Sequence, residues 1–217
     1  MDKKYKILKN GRIEALRSFE NVNKGDIGGF VDSDMNLSHD GTCWVFNSAR
    51  VSGDARVSDS ARVSGDAEVS DSAWVSDSAR VSDSARVFDS AWVYGSAWVS
   101  DSARVSGDAE VSDSARVFDS AQIFDSARVS GNARVFGIFK TGNCPVYVGT
   151  KHNVSYSGII NDEHYISIGC ITKSLQDWKN NYRKIGNENG YSESEIDEYG
   201  YYLSIIEMII KRDFDKK

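Results

Sequence analysis

The chain has 217 residues, 40% hydrophobic and 27% charged, with a formal net charge of −6. That balance argues against general affinity for nucleic acid, and no apolar run approaches the ~18 residues that span a membrane. Three cysteines, Cys43, Cys144 and Cys170, lack metal-ligand spacing. With no apolar segment behind the charged start MDKKYKILKNGR, the expected setting is a reducing cytoplasm.

Residues 5–19, YKILKNGRIEALRSF, predict two short strands around Asn10-Gly11, a strong hairpin signal. In the lead-in that follows, Val31, Leu37 and Cys43 continue the register of later alanines, and Ile27 that of later valines. One irregular coil is expected there.

From residue 45 to 135 the sequence repeats every six residues: sixteen positions share one register, fifteen of them Val and the other Ile123. Two residues before each Val, from Ala49 to Ala133, an Ala fills all fifteen positions. The unit reads V-S-G-D-A-R or V-S-D-S-A-R. In R-V-S the side chains alternate out, in, out, the strand period of two. β-Branched Val suits the buried place. Gly-Asp or Asp-Ser turns the chain, Gly by tolerating unusual dihedrals and Asp or Ser by bonding local backbone, and Ala fits inside the corner. Three strand residues and three turn residues bury nothing alone; stacked coils do.

After Val135 the register dissolves through GIFKTGNCPVYVG, and alternating runs at 153–157 and 165–168 predict strands of a small sheet. Ser174 with Asp177 resembles a capping box ahead of the stripe Leu175, Trp178, Tyr182 and Ile185, with Gly186 as the expected stop. Ser192 with Glu195 starts a second helix, with the stripe Ile196, Tyr199, Leu203, Ile206 and Ile210. The simpler expectation is that both helices pack on their own sheet or rod. Ile205, Ile206, Met208, Ile209 and Ile210 offer more apolar surface than one face requires, which makes them candidates for an oligomer or docking helix.

The repeat resembles the hexapeptide family, whose unit is an aliphatic residue, often Gly, two variable residues, a small residue and a variable one. That resemblance implies a left-handed parallel β-helix of triangular section with three hexapeptides per coil, hence about five regular coils. The segment VNKGDIGGFVDSDMNLSHDGTCWVFNSARVSG at 22–53 is similar to the lead-in of bacterial and phage-borne members, through Gly25, Gly28, Gly29, Asn36, Leu37, Ser38, Gly41 and Trp44. Such members carry transferase or polymer-forming cytoskeletal labels, and the tail ISIGCITKSLQDWKNNYRKIGNENGYSE also resembles phage-type members. The expected organisation is a hairpin and lead-in coil over 1–44, a β-helix over 45–136, and a small α+β region over 137–217.

Relatives with this fold include acyltransferases that use an acyl-coenzyme A donor and a general-base His, which must reach the acceptor. The regular coils contain no His; His39, His152 and His164 all lie outside. A site built from His39 or His164 is the alternative enzyme reading. His39 reads first as a local turn residue, and His152 and His164 as loop and strand-edge residues. The Asp-Ser corners lack a base, the nonapeptide calcium repeat is absent, and Gly28-Gly29 forms no phosphate loop. No catalytic residue, cofactor or metal is assigned.

Taking every eighteenth residue gives three outward columns: Arg62, Arg80, Trp98, Arg116, Arg134; Arg56, Trp74, Trp92, Glu110, Arg128; and Arg50, Glu68, Arg86, Arg104, Gln122. Phe88, Phe118, Phe124 and Phe136 occupy the other outward position. Trp74 and Trp92 are expected one rung apart, with Tyr94 beside them and Trp98 between Arg80 and Arg116. These six are the candidate partner-binding residues. An Arg–Trp face also suits single-stranded nucleic acid, but residues 45–136 hold nine Arg against twelve Asp and two Glu. The expectation is a non-catalytic scaffold or protein-binding module. Its partner is another protein, a host defence factor if the chain is phage-encoded, or a second or third copy. Filament formation through the coil edges is a further alternative.

Overall fold

In the computed structural model, which describes residues 3–143 and 146–213, each hexapeptide contributes a two-residue rung such as Arg80–Val81. From Trp44–Val45 to Arg116–Val117 every rung pairs in parallel with the one eighteen residues on, so Arg62 faces Arg80 and Arg80 faces Trp98. Three hexapeptides therefore complete one coil, and the rod has three sides. One side is a ladder of six rungs, from Trp44–Val45 to Arg134–Val135, which makes it a β-solenoid of about six turns. Every Val of the register, Ile123 and every Ala from Ala49 to Ala133 is at most 1% exposed. Each Val so enclosed contributes about 1.5–3 kcal/mol.

The corners follow from one dihedral. From Asn47 to Gly131 the residue after each outward Ser, Phe or Tyr has positive φ, and these places hold only Gly, Asn or Asp. Those are the residue types that tolerate the left-handed region. Asp carboxylates then bond along the axis: Gly95 N–H donates to Asp77 Oδ2 at 3.0 Å and Gly107 N–H to Asp89 at 3.0 Å. The Asp residues are ladder elements as well as turn formers.

The first coil departs from the sequence expectation. Val31 pairs with Val51 and Leu37 with Val57, twenty residues on rather than eighteen, while Val45 pairs with Val63 in the regular register. Val31 and Leu37 thus occupy valine places and not alanine places; Cys43 does sit on the alanine column. Two extra residues fall around Ser38-His39-Asp40. Ile27, expected inside, is 47% exposed. Gly28 and Gly29 approach the first regular coil in its stead, where a Cβ would lie 2.6 Å from Val45 O and 2.4 Å from Ala49 O. Asn36 is buried and satisfied: it donates to Gly53 O and Ala55 O and accepts from Asp32 and Ser33 N–H. The hairpin Tyr5–Ile7 with Arg12–Ala15 forms as expected and extends to Ile27–Val31.

At the other end, Ile138–Asn143 adds in parallel to Gln122–Val129, so the C-terminal sheet grows directly from the rod. Asn153–Ile160, Glu163–Ile168 and Ile171–Ser174 follow as an antiparallel meander. Ser157 O accepts the N–H groups of Phe136 and Gly137, closing the last coil. Helix α1 (Leu175–Glu188) is capped by Ser174 Oγ, which accepts from Asp177 N–H. Gly186 is not its stop. It is buried, with a virtual Cβ 2.6 Å from Ile196 Cγ1, so it is the point of contact with helix α2 (Glu193–Asp213). The stop is Gly190 at φ 70°: Tyr191 N–H returns to Gly186 O and Gly190 N–H to Asn187 O, a Schellman closure. The predicted α2 stripe is buried at all five positions. No described helix is long and apolar enough to cross a membrane. Cys144 lies outside the described residues.

Candidate interaction site

The three outward columns stand as the eighteen-residue spacing implies. On the first side Arg50, Glu68, Arg86, Arg104 and Gln122 are in register, on the second Arg56, Trp74, Trp92, Glu110 and Arg128, and on the third Arg62, Arg80, Trp98, Arg116 and Arg134. Because inward places are uniformly Val and Ala, these columns hold nearly all the rod's chemical individuality.

Trp74 and Trp92 stack at 5.3 Å between centroids and 8° between planes, and Tyr94 leans on Trp92 at 4.6 Å. The rings remain 42% and 37% exposed. Stacking along the axis turns one ring face of each Trp toward the other, so mainly ring edges and Tyr94 face solvent. Trp98, 39% exposed, belongs to the neighbouring side. Its ring has Arg116 above it at 5.9 Å, and its Nε1–H donates to Ser82 Oγ at 3.1 Å. The six candidate residues therefore form two surfaces separated by a corner: Trp74, Trp92 and Tyr94 on one, Arg80, Trp98 and Arg116 on the next.

The helix candidates divide further. Ile206 and Ile210 are core residues of the C-terminal region, and Ile205 and Ile209 are half-buried. Met208 alone of the five is widely exposed, at 62%. The helices pack on their own sheet: Trp178 Nε1–H donates to Ile166 O at 2.8 Å, and Tyr199 bonds the backbone of residues 151 and 152. Of the surplus, Ile205 and Ile209 are partly covered and Met208 is left exposed.

The histidines have structural partners. His39 lies in the bend after Leu37 and also reaches beyond it: its Nδ1 accepts Lys4 N–H at 3.2 Å and its ring packs on Tyr5 at 4.4 Å. His164 Nδ1 meets Tyr156 OH at 2.9 Å, and His152 N–H donates to Tyr199 OH. Beside His39, the fully buried Lys4 reaches Cys43 O at 3.0 Å, Cys43 Sγ at 3.2 Å and Asp40 O at 3.3 Å. Burial lowers the Lys4 pKa and raises that of Cys43, while their attraction opposes both shifts. Lys4 carried no sequence signal of burial. The legible clue was the eight-residue step from Leu37 to Val45, which marks the widened coil that receives it. Among the described residues, no cluster of three or more His, Cys, Asp or Glu is placed to hold a metal.

Six stacked coils with uniform interior columns and individual outward columns define a β-solenoid repeat protein. Residues 49–64, 79–95 and 127–139 match the family model described as YdcK Beta solenoid repeat. The chain is similar to that repeat in its regular coils and in the first residues beyond them. Comparison with curated proteins finds no match.

Proposed function

We propose that this protein is a non-catalytic binding module whose rigid rod presents exposed aromatic rungs to a protein partner or to another copy of itself. The observation that carries this reading is the stacked Trp74–Trp92 pair with Tyr94, left exposed on a side whose other outward column residues, Arg56, Glu110 and Arg128, are charged. Tyr and Trp are enriched where interfaces bury their surface. The ladder holds these rings in place before binding, which reduces the ordering cost of association. A phage-encoded module of this kind would act on a host protein, such as a defence factor. An acyl-transfer reading needs a base open to its acceptor; at His39, Nδ1 accepts Lys4 N–H and Nε2 is buried.

Light scattering coupled to size exclusion, on the wild type and on Trp74→Ala/Trp92→Ala, tests the proposal. The expected result is a wild-type dimer or trimer that falls to monomer, or a monomer whose isolated partner complex is lost with the substitutions. A monomeric wild type that binds acetyl-coenzyme A in calorimetry would overturn it.

A further inference from the structure

The third side carries four arginines in its outward column, the most of the three, and no acid of its own. On the first side Glu68 pairs with Arg86 at 3.3 Å, and on the second Glu110 pairs with Arg128 at 3.2 Å. The third column contains no acid, and among the described residues only Arg62 has an acidic partner, Glu20 from the N-terminal turn. Arg62 stands directly opposite Arg80, and Arg116 opposite Arg134. Like charges so placed destabilise a strand pair, and among the described residues Arg80, Arg116 and Arg134 have no carboxylate within ion-pair distance to offset it.

The shape of this side adds to its charge. The second outward position is small at Ser64, Ser82 and Ser100, and closed by Phe46 before them and Phe118 after. Two shallow hollows result, one on each side of Trp98. The first, of about 350 Å³, includes Arg80 and Ser82; the second, of about 190 Å³, includes Ser100 and Arg116. Asp83 and Asp101 border the strip, but their carboxylates turn to the backbone N–H groups of Asp101 and Asp119 in the next coil, at 3.4 and 3.2 Å.

Building on the reading of the rod as a binding module, we propose that the third side is a docking strip for an extended acidic segment of a partner protein. The partner's carboxylates meet Arg80 and Arg116, and its intervening residues cross Trp98. Rungs ~4.8 Å apart put Arg80 and Arg116 roughly 10 Å apart, which matches acidic residues three positions apart in a polyproline II segment, where three residues make a turn, each advances ~3.1 Å and positions i and i+3 share a face. Guanidinium meets carboxylate with two parallel hydrogen bonds. A chain of net charge −6 supplies no long-range attraction for such a segment, so recognition operates at contact.

Fluorescence anisotropy of a labelled peptide of repeated Glu-Ser-Gly measures this directly, with repeated Lys-Ser-Gly and oligothymidylate as competing probes. Saturable binding of the acidic peptide alone is expected. Arg80→Ser/Arg116→Ser weakens it by about tenfold with a thermal melt that is not lowered, since the Arg62–Arg80 and Arg116–Arg134 repulsions are relieved, while Arg56→Ser/Arg104→Ser on the other sides leaves binding unchanged. No saturable binding, or equal binding by the Arg80→Ser/Arg116→Ser variant, overturns the proposal. Tighter binding of oligothymidylate overturns it in favour of nucleic acid. A wild-type oligomer that Arg80→Ser/Arg116→Ser dissociates overturns it in favour of a second copy. If the peptide fails while Trp74→Ala/Trp92→Ala still abolishes association, the strip alone is refuted and the binding module stands.

Discussion

The carboxylate of Asp77 accepts the backbone N–H of Gly95 at 3.0 Å, one coil further along the rod, while Asp77 itself holds φ at 57°. One residue thus makes the corner and ties it to the next corner. Asp77→Val should cost about 1–3 kcal/mol, because a β-branched residue is strained at positive φ. Asp77→Gly relieves that strain and loses only the carboxylate bond, so it should cost less. Thermal melts of the two variants give the ordering.

The interior columns are uniform apart from Ile123. Val93 and Ala97 are fully buried between identical neighbours, so Val93→Ala opens a cavity and should cost about 2–3 kcal/mol. Ala97→Leu has no room to expand into and should cost about 1–3 kcal/mol or more. Urea unfolding of each variant measures both.

Trp74 and Trp92 are coupled through their stacked faces. A double-mutant cycle to Ala should return a coupling of about 0.5–1.5 kcal/mol. Trp92 paired with Trp98, which lies on another side, should return a value near zero.

Gly186 and Gly190 are both in the α1 ending but for different reasons. Gly186→Ala drives a methyl into Ile196 and separates the helices, whereas Gly190→Ala strains only one residue at φ 70°. Helix-region hydrogen exchange should rise broadly in the first and locally at the turn in the second.

Acid should loosen the N-terminal cap. His39 has its pKa lowered chiefly by burial, with Lys3 and Lys4 adding to the effect and Asp34 and Asp40 opposing it. A base with a depressed folded-state pKa binds protons more readily when unfolded. Its stability contribution is therefore complete above the usual value near 6.5 and falls as pH drops toward the folded-state pKa. Protonation of Nδ1 also removes the acceptor for Lys4 N–H. Exchange protection of the Lys4 amide, corrected for intrinsic rate, should drop from pH 7.5 to pH 5.5, and His39→Gln should flatten that dependence.

The solenoid was legible because a six-residue period places Val and Ala inside at every step, and stacking is the only way such short units bury anything. The columns followed by arithmetic, so the Trp74–Trp92 stack and the Arg80–Trp98–Arg116 order were readable from the residues alone. The caps of α1 and α2 were readable for the same reason: their signals are local. What only the tertiary structure decided lies where the period breaks or where a partner is distant in sequence. The two extra residues around His39 moved Val31 and Leu37 onto valine places, and room for the buried Lys4 exists only once the hairpin closes over that wider coil. Gly186 proved to be a helix contact because Ile196 returns against it, and Ile205 and Ile209 proved half-covered while Met208 stayed exposed. Likewise the lack of acid on the third side acquires meaning only when Glu68 and Glu110 are seen pairing on the other two. Periodicity sets which way a side chain points, but which charges and surfaces it meets depends on chain segments brought together by folding.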